Sequence, residues 1–286
     1  MNRRTVLQTG AGLAVFGSFP YRLFASAAEK RASDVIELGP KKIRVSRLAV
    51  GSGTNGVGGA SNQTRKLGLG GLADMFRAAY DQGVFFWDSA DQYGTHPHVK
   101  EALKRVPRDK VVILTKTHAS TEKEMRADID RFRRELGTDY IDILLLHCMM
   151  DGGWPQRKRG AMDCISELQS KGIVRTKRVS CHTMAALRAA AASPWVEVDL
   201  ARFNPAGAEM DAAPAEVLPV LKQMKAAGKG VIGMKIFGAG ALRRQADECL
   251  QYALAHDVID CFTIGHENIG ELNDTIRRIP AASRRG

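Results

Sequence analysis

The sequence predicts an α/β chain closed into a (β/α)8 barrel, with an N-terminal β-hairpin as its cap. Three observations predict this fold. Eight short apolar runs alternate with segments patterned as helices. Those runs lack alternating polarity, as parallel strands buried on both faces require. The segment after the first run, Gly51-Ser52-Gly53-Thr54-Asn55-Gly56, lacks the glycine spacing and the following helix of an open dinucleotide-binding sheet.

The elements follow in order. Val35-Ile36-Glu37-Leu38 and Ile43-Arg44-Val45 flank Gly39-Pro40-Lys41-Lys42, a hairpin signal that places a two-stranded cap at the bottom of the barrel. The eight strands are expected at 48–51, 84–87, 111–116, 141–147, 175–180, 196–203, 230–234 and 261–265. Met125, Ile129, Phe132 and Leu136 are spaced to line one helix face. Other helices are expected at 72–82, 162–171, 213–227 and 243–255, several closed by a glycine such as Gly83, Gly137, Gly172 or Gly228. The chain shows no short-period repeat and no composition shift that would mark a second domain.

Residues 1–27 read as a targeting segment rather than part of the fold. Arg3-Arg4 precede a weakly apolar run, and Ala25-Ser26-Ala27 offers small residues for cleavage. This order resembles a twin-arginine (Tat) export signal, which implies the Tat machinery as a partner and a periplasmic or exported destination. The run is too short and glycine-rich to span a bilayer, so no stable membrane insertion of the mature chain is expected. Residues 28–34 read as a linker and 35–286 as the barrel. The five cysteines, Cys148, Cys164, Cys181, Cys249 and Cys261, show no paired spacing, which argues against a disulfide framework or a zinc cluster. The net charge is +11. The basic residues are dispersed over helix faces and aromatic content is low, so nucleic acid is not an expected partner.

The chemistry gathers at strand ends. The second strand runs into Asp88, and Tyr93 follows five residues later; Lys116 ends the third strand and His147 the fourth. In such a barrel these positions face one another across the C-terminal mouth. A phenol with an ordinary pKa near ~10 needs a neighbouring cation to become a better acid, and Lys116 can supply that charge. Asp88 can hold Lys116 in place, and His147 can donate to a carbonyl oxygen. The arrangement suits carbonyl reduction, in which carbon receives hydride and oxygen receives a proton.

Asp-Ser-Ala-x-x-Tyr-Gly at 88–94, Thr-Lys at 115–116 and Leu-Leu-Leu-His at 144–147 together resemble the aldo-keto reductase superfamily, over about 38–275. The resemblance implies Tyr93 as general acid/base, Lys116 and Asp88 as its tuning pair and His147 as the group that orients a carbonyl. It implies NADP or NAD bound in an extended pose, and a small aldehyde, ketone or sugar as substrate. Cofactor contacts carried over residue by residue fall on Gly53 and Thr54, on Ser180 and Cys181, on Met234, Lys235, Phe237, Gly238 and Gly240, and on Gly265, Glu267 and Asn268. The sequence departs from the family pattern here. Cys181-His182 follows Ser180 where the family has asparagine, Leu200 or Ala201 stands near an expected glutamine, and Met234 takes the place of a stacking tyrosine. A carboxylate at Glu267 would repel a 2′-phosphate and suit ribose hydroxyls, which leaves NAD against NADP open. With the chain ending soon after its final helix, specificity is expected to rest on loops at 55–69, 96–98 and 149–159.

Two other functions stay open at this level. His118, His147, His182 and His266 lie near strand ends, and His96-Pro97-His98 supplies an HxH in an expected loop, a pattern used by metal-dependent hydrolases on this barrel. Alternatively, the irregular nicotinamide contacts suit a non-catalytic barrel that binds a cofactor and regulates. The reading with no metal follows from the placement of the HxH after the second strand rather than at the end of the first.

Overall fold

A computed structural model describes residues 29–284. The expected export signal at 1–27 lies outside the described residues, as does Arg285. Two antiparallel strands, β1 (Val35–Leu38) and β2 (Ile43–Ser46), pair with Leu38 opposite Ile43. Eight parallel strands follow: β3 (Leu48–Gly51), β4 (Phe86–Asp88), β5 (Val112–Thr117), β6 (Ile143–Met149), β7 (Lys177–Cys181), β8 (Val198–Arg202), β9 (Gly230–Met234) and β10 (Cys261–Gly265). Each pairs with the next in chain order, and β10 returns to β3 with Gly265 opposite Gly51. The sheet therefore closes, and the expected (β/α)8 barrel with its hairpin is what the chain forms.

Strand alternation divides the apolar residues between two cores. Ala49, Phe86, Leu114, Leu145, Leu200 and Ile232 fill the barrel interior, and Leu38, Ile43 and Val45 of the hairpin plug it from below. Val50, Trp87, Ile113, Leu144, Leu146 and Val179 face outward against the helices. Those helices are α1 (Asn62–Asp81), α2 (His96–Leu103), α3 (Glu122–Leu136), the short α4 (Trp154–Arg157), α5 (Arg159–Ser170), α6 (Met184–Ala192), α7 (Pro214–Ala226), α8 (Ala246–Ala255) and α9 (Ile269–Ser283). On α3 the buried residues are Met125, Ile129, Phe132 and Leu136, the face read from spacing, and Gly137 ends it in the left-handed region at φ 69°. Among the described residues, no helix is long and apolar enough to cross a membrane.

Three expectations need correction. Helix α1 starts at Asn62, ten residues before the expected 72, because Ser61 and Thr64 form a capping box. Gly68, at φ 62° and ψ −173°, kinks the helix, and with Gly70 and Gly71 it dilutes the apolar pattern and hides the first turns, so residues 62–67 are helical and not a free loop. His96-Pro97-His98 opens α2 instead of lying in a loop, with Pro97 in the first turn where its missing N–H costs nothing. Residues 29–34 are docked rather than a loose linker. Ala32 is buried, the Lys30 amide donates to Ser283 Oγ (3.1 Å), and Lys30 Nζ donates to the Leu254 carbonyl (2.6 Å).

Candidate active site

The site is assembled at the C-terminal ends of four strands. Lys116 on β5 is 1% exposed. Its Nζ donates to Asp88 Oδ1, at the end of β4, and to the Ser89 carbonyl at 2.9 Å. Thr263 on β10 donates to the other oxygen, Asp88 Oδ2, at 2.9 Å. Burial pulls the Lys116 amine down, but the Asp88 carboxylate and then the Tyr93 phenol more than offset it, so its pKa ends above the ordinary 10.5. Lys116 is therefore a fixed cation, held on a carboxylate whose two oxygens are both engaged.

Tyr93 sits in a 3-10 turn, Asp91–Tyr93, between β4 and α2. Its ring centre lies 4.6 Å from Lys116 Nζ and 5.6 Å from the His147 ring, which it meets edge-on. Two glycines make room for it. A Cβ built on Gly53 would stand 2.1 Å from the Tyr93 ring, and one on Gly56 would stand 2.3 Å away, both far inside contact distance. Loss of water around the hydroxyl raises the phenol above its ordinary 10.0, while the charge of Lys116 and a hydrogen bond from it pull the other way. The expectation that Lys116 would leave Tyr93 more acidic than a free phenol is thus corrected: desolvation wins, and the phenol keeps its proton.

His147, on β6, is 4% exposed. Burial first, then Lys116, His118 and His182, hold its imidazole well below the ordinary 6.5, so it is neutral. Its Nδ1 is buried without a partner. His118 stacks on it at 4.8 Å between ring centres and is tied by Nε2 to Gln92 Oε1 at 2.6 Å. Gln92 in turn donates to the Gly56 carbonyl at 2.9 Å, which closes the loop over Tyr93.

Asp88, Tyr93, Lys116 and His147 all line one cavity of about 1080 Å³, which runs from these residues past Lys235, Phe237 and Arg243 to Glu267 and Arg278. Of the expected cofactor positions, Gly53, Thr54, Ser180, Met234, Lys235, Phe237, Gly240, Gly265 and Glu267 line it as well. Cys181, Gly238 and Asn268 do not, and each has a reason. Ser180 and Cys181 are neighbours on β7, so they face opposite sides; Cys181 points outward and its thiol donates to Asp199 Oδ1 at 3.3 Å. Gly238 is buried against Ala208 and Leu242. Asn268 caps α9, accepting from the Glu271 amide at 2.9 Å. Glu267 lines the cavity but is already engaged by Asn62 (2.7 Å) and by Lys66. Its expected repulsion of a 2′-phosphate is correspondingly weakened.

The rim histidines do not converge as metal ligands. Among the described residues the one such grouping is Asp91, His96 and Glu135, and it is already filled from within. Arg131 pairs with both carboxylates, and His96 spends Nδ1 on Glu135 and Nε2 on Thr115, at 2.7 Å each. His266 is buried, its Nε2 on Thr275 at 3.0 Å. Sequence reasoning missed Thr263 and Gly56. A lone threonine two residues before the end of an apolar strand was the available signal for the first.

With the geometry in place, comparison with known proteins identifies the lineage. The aldo/keto reductase family model matches residues 49–253, more than half of the chain. The chain belongs to the aldo/keto reductase family. It is 29% identical over 126 residues to a probable aldo-keto reductase 1 of Glycine max, which is 39% of this chain and 35% of that protein. The matched stretches span about a third of the curated relatives' length. A putative aldo-keto reductase from Pseudomonas aeruginosa has the same fold at TM-score 0.71 and 20% identity, covering 91% of this chain and 99% of that one. An aldo/keto reductase from Klebsiella pneumoniae, solved with NADP and acetate, aligns at TM-score 0.65 and 19% identity over 86% and 89% of the two chains.

Proposed function

We propose that this aldo/keto reductase family member is an oxidoreductase that reversibly reduces an aldehyde, ketone or sugar carbonyl with NAD(P)H. The observation that carries this reading is the convergence of a protonated phenol, a buried ammonium and a neutral imidazole on one cavity large enough for a dinucleotide and a small substrate. The long arm of the cavity fits an extended nucleotide: Lys235 and Arg243 offer cations for a pyrophosphate beside the open backbone at Gly240, and Phe237 offers an apolar face. Neighbours solved with NADP or NADPH support the same cofactor class. Thr54, Ser180, Met234 and Glu267 line the same cavity. When bound there, the nicotinamide would supply the hydride.

The chain's own residues handle the oxygen and its proton. Neutral His147, which lines the cavity, donates from its ring N–H to the carbonyl oxygen and orients it toward Tyr93. Tyr93 delivers its proton as negative charge builds on that oxygen. Lys116 stabilises the phenolate that remains, and Asp88, braced by Thr263, keeps the ammonium in position.

The test has two parts. Purified protein titrated with NADPH and NADH should quench or shift their fluorescence, and a panel of carbonyls should then consume the nucleotide. Absence of nucleotide binding sinks the reading; binding without turnover on any carbonyl favours the regulatory barrel. We also propose export by the twin-arginine route. Because a periplasm holds no ready NAD(P)H pool, we propose that a tightly held cofactor leaves with the folded protein and is recycled between two substrates. Fractionation of cells, followed by nucleotide assay of the exported protein, tests both points; a consistently empty exported protein counts against recycling.

A further inference from the structure

One side chain of the cavity has no part in the chemistry described so far. His182 follows β7 at the rim, its amide donating to the Met149 carbonyl at 2.8 Å, and its ring lines the cavity beside His147. The two ring centres lie 6.4 Å apart with planes at 87°. Arg202, at the end of β8, donates from Nη2 to His182 Nδ1 at 2.6 Å. A guanidinium has no lone pair to offer and does not lose its proton, so Nδ1 must be the acceptor. The Cys148 sulfur also lies against Nδ1, at 3.2 Å. The ring proton is therefore on Nε2, for which no protein partner is recorded among the described residues. Arg202 is itself steadied by Asp211, whose side chain is 1% exposed and lies 3.5 Å from Nη1. Burial, then the charges of Arg202 and Lys235, lowers the imidazole to about 3, so the ring stays neutral in this tautomer throughout the physiological range.

Two neutral imidazoles thus share one end of the cavity, and the donor of His182 is fixed at Nε2. His147 is assigned to the reacting oxygen. A second donor at this separation suits a second oxygen close by, since each bond spans about 2.9 Å. We propose that His182 is a specificity-determining residue whose Nε2–H takes an oxygen on the carbon next to the reacting carbonyl. The substrate class that follows is the α-oxygenated carbonyl: a hydroxyketone, hydroxyaldehyde, dicarbonyl or open-chain sugar. This inference rests on the reductase reading above.

Hydroxyacetone and acetone form a matched pair for the test, with the full-length protein and NADPH. Wild type should favour hydroxyacetone by about tenfold in kcat/KM, the worth of one neutral hydrogen bond. His182→Ala should bring the ratio near one, and His182→Asn, which restores an N–H donor, should recover part of it. An unchanged ratio in His182→Ala overturns the proposal. So does a weakened Kd for NADPH with the ratio intact, because the donor would then serve the nucleotide. Nitrogen NMR of labelled histidine gives an arm that needs no turnover. Nδ1 of His182 should be unprotonated, and its Nε2 signal should move with hydroxyacetone but not with acetone. If wild type reduces neither compound, the reductase reading has failed, and the NMR result alone decides the role of His182: a hydroxyacetone-specific shift upholds it and no shift overturns it.

Discussion

At the scale of single residues, the proton on Tyr93 is the quantity that matters. Its hydroxyl has lost water, and the neighbouring ammonium only partly compensates, so the phenol sits above its ordinary 10.0. A group raised in this way is a proton donor at neutral pH and a poor base. The reductive rate should stay flat through neutrality and fall only beyond the ordinary phenol range, whereas the reverse oxidation should climb toward alkaline pH. Rate profiles in both directions check this, and a reductive rate that falls near neutrality would contradict it. Tyr93→Phe should lower reduction by roughly 10²–10⁴-fold while leaving the Kd for nucleotide nearly unchanged, because only the donor is removed. Gly53→Ala or Gly56→Ala should be nearly as damaging without touching any reactive atom. A Cβ 2.1 or 2.3 Å from the Tyr93 ring has to push it out of line with Lys116. Activity and thermal melting measured together would separate that displacement from unfolding.

At the scale of elements, helix α3 braces both halves of the site from outside the barrel. Arg131 holds Asp91 through two bonds of 2.6 and 2.9 Å and reaches Asp128 at 2.8 Å and Glu135 at 3.2 Å. Asp91 opens the turn that carries Tyr93. Asp128 takes the hydroxyl of Thr117, while Glu135 reaches Thr115 through buried His96; these two threonines flank Lys116 on β5. One guanidinium thereby ties the phenol's turn to the ammonium's strand. Arg131→Met should lower kcat more than it raises KM, and Arg131→Lys should recover part of the loss. An equal effect on both constants, or none on kcat, would show that the network merely supports the fold.

At the scale of the whole molecule, the barrel is sealed below by the hairpin and weakened on one side by a buried acid. Leu38 enters the interior core from β1 and is fully buried, so Leu38→Ala should cost about 2–5 kcal/mol, read by denaturant unfolding. The site lies at the opposite end, so nucleotide binding should survive in the folded fraction. Asp199 on β8 is fully buried, and burial lifts its carboxyl to about 7 from an ordinary 3.8. The fold favours the protonated form. Its stabilising contribution is complete below the unfolded value and is lost as pH rises through about 7. Asp199→Asn should therefore melt close to wild type in acid and above it in alkali. A Tm difference that does not grow with pH would refute this.

The sequence by itself determined the barrel, the hairpin and the three polar residues Asp88, Lys116 and His147 toward strand ends, because each is written in local terms. Parallel strands buried on both faces appear as uninterrupted apolar runs, and a lone Asp, Lys or His ending such a run stands out against it. The start of α1 was legible only through its cap, since three glycines blurred the helical period. What tertiary structure decided was everything that depends on distance between segments far apart in sequence. Gly53 and Gly56 turned out to make room for Tyr93, Thr263 to brace Asp88 across the closing seam, and Glu267 to be already paired with Lys66. The same holds for the direction of the Tyr93 pKa. Desolvation and charge act in opposition there, and only packing sets their balance.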